Sequence, residues 1–296
     1  MGGLDGVDCQ AGRSDCQSPC QARQQESPRD RGCARELRAH SRMSPTRSTT
    51  VDSRLRSVGG LQIAMRVQGE GDPLLLINGM TRPIQSWEPF TKELSRRTVV
   101  SFDAPGVGDS PTPVLPLSMS ALAALAVAVL DAAGLAEADV LGFSHGGAVA
   151  QQLALDAPDR VRRLVLVSTS CGVGATPGTT RDVLAGLEAT DGAAAWPQVD
   201  LVGVFWQSLA ISNWSSIPFL GAISAPTLVV SGTRDRVVPP ANSKVLAGRI
   251  PDAALVLLQA GHDVQRAEHA SALARIVEDF LSSTWRPSNE EGYDHG

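Results

Sequence analysis

Ser144 lies in the pentapeptide Gly142-Phe143-Ser144-His145-Gly146, which satisfies the pattern G-x-S-x-G. The run DVLGF before Ser144 is typical of a buried strand, and the run GGAVAQQLAL after it is typical of a helix. Glycines two residues before and after a serine let the strand and the helix approach each other while the hydroxyl stays exposed. The N-terminus of the helix also favours developing negative charge. We therefore predict that Ser144 is a nucleophile that attacks an acyl carbon.

A nucleophilic serine needs a general base, and the chain has five histidines: His40, His145, His262, His269 and His295. The first and last lie in tails that we expect to be flexible. His145 is adjacent to the serine, and neighbouring side chains on such a turn point apart, whereas His269 falls within the predicted last helix. His262 follows a predicted strand at residues 254–258 through a short glycine-containing loop. We predict that His262 is the base.

The base in turn needs a carboxylate that orients it. Asp235 follows the predicted strand at residues 227–231, so the chain order is nucleophile, acid and base, an order known for serine triads. Two alternatives are Asp103, which ends an earlier strand, and Asp263, which is next to the base. We expect Asp103 to stabilise the turn that follows it and Asp263 to be too close in sequence to orient its neighbour, so Asp235 is preferred.

An oxyanion hole requires two N–H donors close to the nucleophile. The backbone N–H of His145 is the first candidate. The second is the backbone N–H of Met80, in the loop Asn78-Gly79-Met80 after an early strand. Many hydrolases carry His-Gly here, but the donor is a backbone group, so Asn-Gly is compatible with the same role.

The composition excludes several classes of protein. The 296-residue chain has a formal net charge of −5 and no sequence-wide basic footprint, so we expect no nucleic-acid partner. The longest strongly apolar stretch, residues 122–130, is too short to span a bilayer. Four of the five cysteines lie in the first 33 residues with spacings that match no common ligand pattern, so we expect no metal and no cofactor. A single cysteine in the body, Cys171, suits a reducing cytoplasm.

Strands and helices alternate along the body of the chain. Further strands are predicted at residues 61–67, 73–77, 98–102, 138–143 and 161–168, and helices at residues 118–133, 146–155 and 264–281. The first of these strands is expected to be antiparallel. Such alternation predicts an α/β fold, with a mostly parallel sheet and helices on both faces.

The organisation has four expected parts. Residues 1–42 lack Phe, Trp, Tyr and Ile and are predicted to be disordered, and residues 285–296 form a flexible C-terminal tail. Residues 43–170 and 225–284 form the core. Residues 171–224 carry no clear buried strand and are predicted to form a short cap over the edge of the sheet where the strands end.

Three tryptophans lie in the predicted cap: Trp196, Trp206 and Trp214. As a group they are expected to line an apolar substrate cleft, and Trp206 and Trp214 are the candidate substrate-binding residues. The alternative is that each tryptophan only packs the cap onto the body.

Four stretches resemble the intracellular, medium-chain-length poly(3-hydroxyalkanoate) depolymerases, and together they cover most of residues 51–281. They are PLLLINGM, FDAPGVGDSPTP, VLGFSHGGAVAQQLALDAPDRVRRLVLVSTSCG and NWSSIPFLGAISAPTLVVSGTRDRVVPPANSKVLAGRIPDA. The resemblance implies an α/β-hydrolase fold, with Ser144, Asp235 and His262 as nucleophile, acid and base. It also implies hydrolysis of an aliphatic hydroxy-acid polyester through an acyl-enzyme.

Two departures from that family concern the substrate. The cap is shorter by roughly two or three helical turns, and His262 is followed by Asp-Val-Gln-Arg instead of an apolar continuation. An esterase, lactonase or thioesterase acting on a small metabolite is therefore an alternative. A non-catalytic ligand-binding homologue and a triad enzyme of other chemistry, such as C–C cleavage or perhydrolysis, also stay open. The expected partner is a small or oligomeric ester, and the sequence leaves the oligomeric state open.

Overall fold

The protein is described by a computed structural model that covers residues 54–188 and 200–282. The two predicted tails and Trp196 lie outside the described residues. Within them, eight strands form one sheet: β1 (Arg54–Val58), β2 (Leu61–Gln68), β3 (Asp72–Ile77), β4 (Arg97–Phe102), β5 (Ala138–Phe143), β6 (Val161–Val167), β7 (Thr227–Gly232) and β8 (Ala253–Leu258).

The strand order is β1-β2-β4-β3-β5-β6-β7-β8. Every pair from β4 to β8 is parallel, whereas β2 pairs antiparallel with both β1 and β4. The predicted mostly parallel sheet and its antiparallel early strand are therefore confirmed. The edge strand β1 was not predicted, because four of its five residues are exposed and its sequence, RLRSV, lacks an apolar pattern.

Seven α-helices accompany the sheet in the described part of the chain. They are α1 (Glu88–Thr91), α2 (Met119–Ala132), α3 (His145–Asp156), α4 (Thr180–Glu188), α5 (Leu201–Ser212), α6 (Pro240–Arg249) and α7 (Ala267–Leu281). Ser118 caps α2, since its hydroxyl accepts the backbone N–H of Ala121. No helix among these residues has the length and apolar character needed to cross a membrane.

Both faces of the sheet are covered. Helices α2, α3 and α6 pack on one face, and α1 and α7 pack on the other. Strand β3 illustrates the arrangement, because Leu75 and Ile77 belong to the first cluster and Leu74 and Leu76 to the second. A strand buried on both sides must be apolar at successive positions, which explains the uninterrupted run LLLI.

The parallel strands end along one edge of the sheet, and this edge collects the residues selected from the sequence. Asn78 follows β3, Ser144 follows β5, Asp235 follows β7 and His262 follows β8. Open α/β sheets bind ligands at this edge. Helices α4 and α5 lie between β6 and β7 in the chain.

Candidate active site

Ser144 occupies a strained turn between β5 and α3. Its φ of 52° and ψ of −118° are rare for a residue with a side chain. Three contacts hold it there: its N–H donates to the Val167 carbonyl at 2.9 Å, and its carbonyl accepts from the Gly147 N–H at 2.9 Å and the Thr169 hydroxyl at 2.6 Å. The surrounding backbone therefore imposes a conformation that presents the hydroxyl at the sheet edge.

The glycines around Ser144 are required by close packing. A Cβ on Gly142 would lie 2.4 Å from the carbonyl oxygen of Gly146, and a Cβ on Gly146 would lie 2.1 Å from the carbonyl oxygen of Ile77. Atoms cannot approach so closely, so the strand and the helix can meet only without side chains at these two positions.

The structure brings Ser144, His262 and Asp235 together. The Nε2 atom of His262 is 3.1 Å from the Ser144 hydroxyl oxygen, and its Nδ1 atom is 2.8 Å from Oδ2 of Asp235. The Asp235 side chain is fully buried, and its Oδ1 accepts the backbone N–H groups of Val237 and Val238 at 2.9 and 2.8 Å. With Asp235 ionised, Nδ1 donates to the carboxylate and Nε2 is left to accept the serine proton.

The loop after β3 closes on the nucleophile. A Cβ on Gly79 would lie 2.9 Å from the ring of Phe143 and 3.3 Å from Cβ of Ser144, so the backbone runs directly beside the serine. Met80 follows, and it lines a cleft together with Ser144 and His145. His145 is the first residue of α3, and the first N–H groups of a helix have no acceptor within it. Both candidate oxyanion donors therefore belong to segments next to the hydroxyl.

Asn78 shapes this loop. Its Oδ1 accepts the Gly79 N–H at 2.9 Å, and its Nδ2 donates to the Pro83 carbonyl at 2.9 Å and the Ser86 hydroxyl at 2.7 Å. The side chain is 5% exposed, so these bonds satisfy a buried amide. The sequence shows only that Asn replaces a more common histidine, and these loop-ordering contacts were not predicted from it.

The two rival carboxylates have other partners. Asp103 is fully buried and accepts the backbone N–H groups of Ile84 and Asp109 at 2.7 and 2.9 Å, as its predicted turn-stabilising role requires. Burial raises the pKa of Asp103 to about 6, although these two hydrogen bonds oppose the shift. Asp263 forms an ion pair with Arg82 instead of orienting His262.

The imidazole of His145 is buried beside the cleft. Burial lowers the pKa of His145 to about 4, against the opposing effect of a hydrogen bond to the Gln207 backbone, so the ring is neutral at neutral pH. Its Nε2 atom has no hydrogen-bond partner among the described residues. His269 lies on α7, where its ring approaches Glu268 at 3.6 Å. Of the three described histidines, His262 is the one joined by hydrogen bonds to both Ser144 and Asp235.

The cleft beside Ser144 has a volume of about 300 Å³. Helix α5 contributes Ser208, Ile211 and Ser212 to its wall. These residues are spaced as i, i+3 and i+4, which places them on one face of a helix. This spacing is a usable signal in the sequence, but the residues predicted to line the cleft were the tryptophans.

Neither Trp206 nor Trp214 is among the residues that line this cleft, and their contact with the substrate stays a prediction. The indole N–H of Trp206 donates to the Pro113 carbonyl at 3.2 Å, and that of Trp214 donates to Oε1 of Gln152 at 2.6 Å. Trp214 is only 9% exposed and belongs to the core. These contacts fix the segment between β6 and β7 to the body of the protein, which favours the packing alternative for both residues.

The described residues contain no group of three or more His, Cys, Asp or Glu side chains that could hold a metal ion. The arrangement at the sheet edge is suited to chemistry by side chains alone: a hydroxyl, an imidazole and a carboxylate in hydrogen-bonded sequence.

Sequence comparison relates the chain to known hydrolases. A family model described as the alpha/beta hydrolase fold matches residues 72–198 and 201–266. A poly(3-hydroxyalkanoate) depolymerase of Ectopseudomonas oleovorans is 34% identical over 71% of this chain and 84% of its own length. A 2-hydroxymuconate semialdehyde hydrolase of Pseudomonas putida is 31% identical over 75% of this chain and 92% of its own length.

Comparison with solved structures also finds similarity to hydrolases. The enol-lactonase from Burkholderia xenovorans LB400 superposes with a TM-score of 0.69 and 27% identity, covering 77% of this chain and 99% of the lactonase. The eight-stranded sheet, the strained serine turn and these similarities lead to one conclusion: the chain belongs to the α/β hydrolase fold family and is a hydrolase.

Proposed function

We propose that this hydrolase is a serine esterase that cleaves the ester bonds of aliphatic, hydroxyalkanoate-type substrates through an acyl-enzyme. The observation that carries the proposal is the pair of contacts made by His262, 3.1 Å to the Ser144 hydroxyl and 2.8 Å to the buried Asp235 carboxylate. Ser144 is the nucleophile, His262 the general base and Asp235 the group that holds the imidazole in place.

The first half of the reaction forms the acyl-enzyme. Nε2 of His262 takes the proton as the Ser144 oxygen bonds to the carbonyl carbon, and Asp235 stabilises the imidazolium. The backbone N–H groups of Met80 and His145 hold the developing oxyanion. The tetrahedral intermediate collapses when His262 gives its proton to the leaving oxygen, which departs as the alcohol.

The second half releases the acid. A water molecule gives its proton to His262 as its oxygen attacks the acyl carbon, and the Ser144 oxygen regains a proton when the C–O bond breaks. Side chains and water supply every proton and nucleophile that these steps need, so the proposed mechanism uses no cofactor.

The cleft supports an aliphatic acyl group. Its walls include Phe143, Ile211, Val237 and Val238, and about 300 Å³ holds a short chain of this kind. We also propose that residues 171–224 act as a cap, because α5, which lies within this segment, supplies part of the wall. The similarity to the Ectopseudomonas depolymerase supports hydroxyalkanoate esters as the substrate class.

The test is a substrate panel. The purified protein is assayed with p-nitrophenyl esters and simple alkyl esters of C2 to C12 acids and with linear 3-hydroxyalkanoate trimers, and the released acids are identified by mass spectrometry. The proposal predicts hydrolysis of all three sets and a larger kcat/KM for the trimers than for simple alkyl esters of equal acyl length. Hydrolysis of simple esters without trimers would overturn the substrate class and leave the esterase assignment intact.

A second candidate is an esterase, lactonase or thioesterase that acts on a small metabolite. The volume of the cleft and the similarity to an enol-lactonase favour it. Adding aliphatic lactones and acyl thioesters to the same panel separates the two candidates. The similarity to a 2-hydroxymuconate semialdehyde hydrolase also justifies a C–C cleavage substrate in the panel.

A further inference from the structure

Arg82 and Asp263 form an ion pair across the sheet edge. One guanidinium nitrogen of Arg82, Nη2, lies 3.0 and 3.1 Å from the two carboxylate oxygens of Asp263. Their side chains are 6% and 14% exposed, so the pair is largely shielded from water. The partners are 181 residues apart in the chain, which makes this a contact of tertiary structure.

The pair connects two loops that carry proposed catalytic groups. Arg82 is two residues after Met80, and Asp263 directly follows His262. The loops leave β3 and β8, which are four strand positions apart in the sheet. At a strand spacing of about 4.8 Å, these strands are separated by roughly 19 Å. The two loops must therefore extend toward each other, and the ion pair joins them where they meet.

Both ends of the pair are attached to ordered backbone. The Arg82 N–H donates to the Gly79 carbonyl at 3.2 Å, which closes a turn around Met80, and Thr81 within this turn has a φ of 65°. A threonine holds such a conformation only when its surroundings impose it. At the other end, Asp263 also pairs with Arg266 at 3.0 Å, just before α7 begins.

We propose that Arg82 is a positioning residue, whose ion pair with Asp263 holds the Met80 amide in register with His262 during acyl transfer. The inference rests on the proposed serine mechanism and adds a residue pair to it. Because Nη2 contacts both carboxylate oxygens, the ion pair constrains both the distance and the orientation of the Asp263 carboxylate. Misplacing a reacting group by about 1 Å can cost on the order of 100-fold in rate, so the contact matters for turnover more than for substrate binding.

The first experiment compares steady-state kinetics of Arg82→Gln, Arg82→Lys, Asp263→Asn and the double variant on p-nitrophenyl butyrate. Removing one oxyanion-hole donor lowers kcat about 100- to 1000-fold. In Arg82→Gln the Met80 N–H would be displaced but not removed, so we expect kcat to fall only about 10- to 100-fold. KM should change less than about three-fold. Arg82→Lys keeps the charge without the planar guanidinium and should retain an intermediate kcat.

The double variant tests whether the two residues act as one unit. If they do, Arg82→Gln combined with Asp263→Asn loses no more activity than the worse single variant. Losses that multiply would mean that the two residues act independently and would overturn the proposal.

The matched control is Arg162→Gln. Arg162 contacts the buried carboxylate of Asp139 through two nitrogens at 3.3 and 2.9 Å, near the opposite ends of the strands from Ser144. This substitution also removes an arginine–carboxylate ion pair, so the Tm of the Arg162→Gln variant should fall by about as much as that of Arg82→Gln. The kcat of the Arg162→Gln variant should stay within about two-fold of the wild-type value. An equal loss of kcat in both variants would show a general effect of lost stability and contradict the proposal.

The second experiment measures oxyanion stabilisation without turnover. An alkyl boronic acid that adds to Ser144 places an oxygen where the oxyanion forms. Its inhibition constant should weaken in Arg82→Gln by about the same factor as kcat/KM, whereas binding of the non-covalent product acid should be unchanged. An unchanged boronate constant in a folded Arg82→Gln variant overturns the positioning role. If Ser144→Ala keeps full esterase activity, it is the serine mechanism itself that fails, so the two outcomes are distinguishable.

Discussion

His262 and Asp235 lie on loops that follow the adjacent strands β8 and β7, and their side chains meet with Nδ1 2.8 Å from Oδ2. The register of β7 with β8 explains the meeting, because Gly232 pairs with Leu258 at the ends of the two strands. Asp235 lies three residues after Gly232 and His262 lies four residues after Leu258, so two short loops bring the carboxylate and the imidazole together.

The first prediction concerns Asp235→Asn. The asparagine would keep an oxygen for the backbone amides but present its NH2 to Nδ1 of His262, which forces the proton of the imidazole onto Nε2. The ring then cannot accept the serine proton, and we expect kcat to fall about 10³- to 10⁴-fold with little change in KM. Steady-state kinetics on p-nitrophenyl butyrate measures it. Asp159→Asn, at an exposed carboxylate, is the control, and equal activity of both variants would contradict the role of Asp235.

The second prediction compares two glycine-to-alanine substitutions. Gly146→Ala places a Cβ 2.1 Å from a carbonyl oxygen and should lower the free energy of unfolding by at least about 2 kcal/mol. Gly248→Ala, in α6, has no atom within 4 Å of the new Cβ and should raise that free energy by about 0.5 kcal/mol. Urea denaturation gives both values. Changes of the same sign would refute the packing account of the serine turn.

The third prediction follows from the pKa of Asp103, which burial raises from 3.8 to about 6. Between these values the folded state binds a proton that the unfolded state does not. The stabilisation is thus fully present below about pH 3.8 and is lost as the pH rises through 6.

Relative to Asp103→Asn, the wild type should therefore become more stable by on the order of 2–3 kcal/mol when the pH falls from 7 to 4. Urea denaturation of both proteins at several pH values measures the difference. A constant difference between Asp103→Asn and the wild type would rule out the titration of Asp103 in this range.

The fourth prediction concerns the length of the acyl group. Ile211 projects from α5 into the cleft beside Met80 and Ser144, whereas Leu209 faces a different surface groove. Ile211→Ala should shift the preferred p-nitrophenyl ester by about two carbons or more toward longer chains, because each buried CH2 is worth about 0.8 kcal/mol where space exists. Leu209→Ala should leave the preference unchanged. The same optimum in both variants would exclude α5 from the acyl site.

Much of the sheet could be predicted from the sequence. Strands buried on both faces carry uninterrupted apolar runs, so β3, β5 and β7 were found within one residue of their observed ends. Ser144 was found for a related reason, since its glycines are required by local packing that leaves a pattern in the chain.

Contacts between distant residues leave no such pattern. The ion pair between Arg82 and Asp263 depends on where the chain folds back, which no local spacing specifies. The sequence leaves the role of the tryptophans open for a different reason. A large aromatic residue near a predicted cap is equally compatible with a substrate wall and with packing, and the hydrogen bonds that favour packing appear only in the fold.

The central claim is that Ser144 is a nucleophile activated by His262. Its most direct test is the reaction of the full-length protein with a fluorophosphonate probe, followed by intact mass measurement and peptide mapping. We expect one adduct per chain, located on Ser144, with none in Ser144→Ala and labelling slowed at least about 100-fold in His262→Ala. Labelling of Ser144→Ala at the wild-type rate, or an enzyme that hydrolyses esters while Ser144 stays unmodified, would contradict the account.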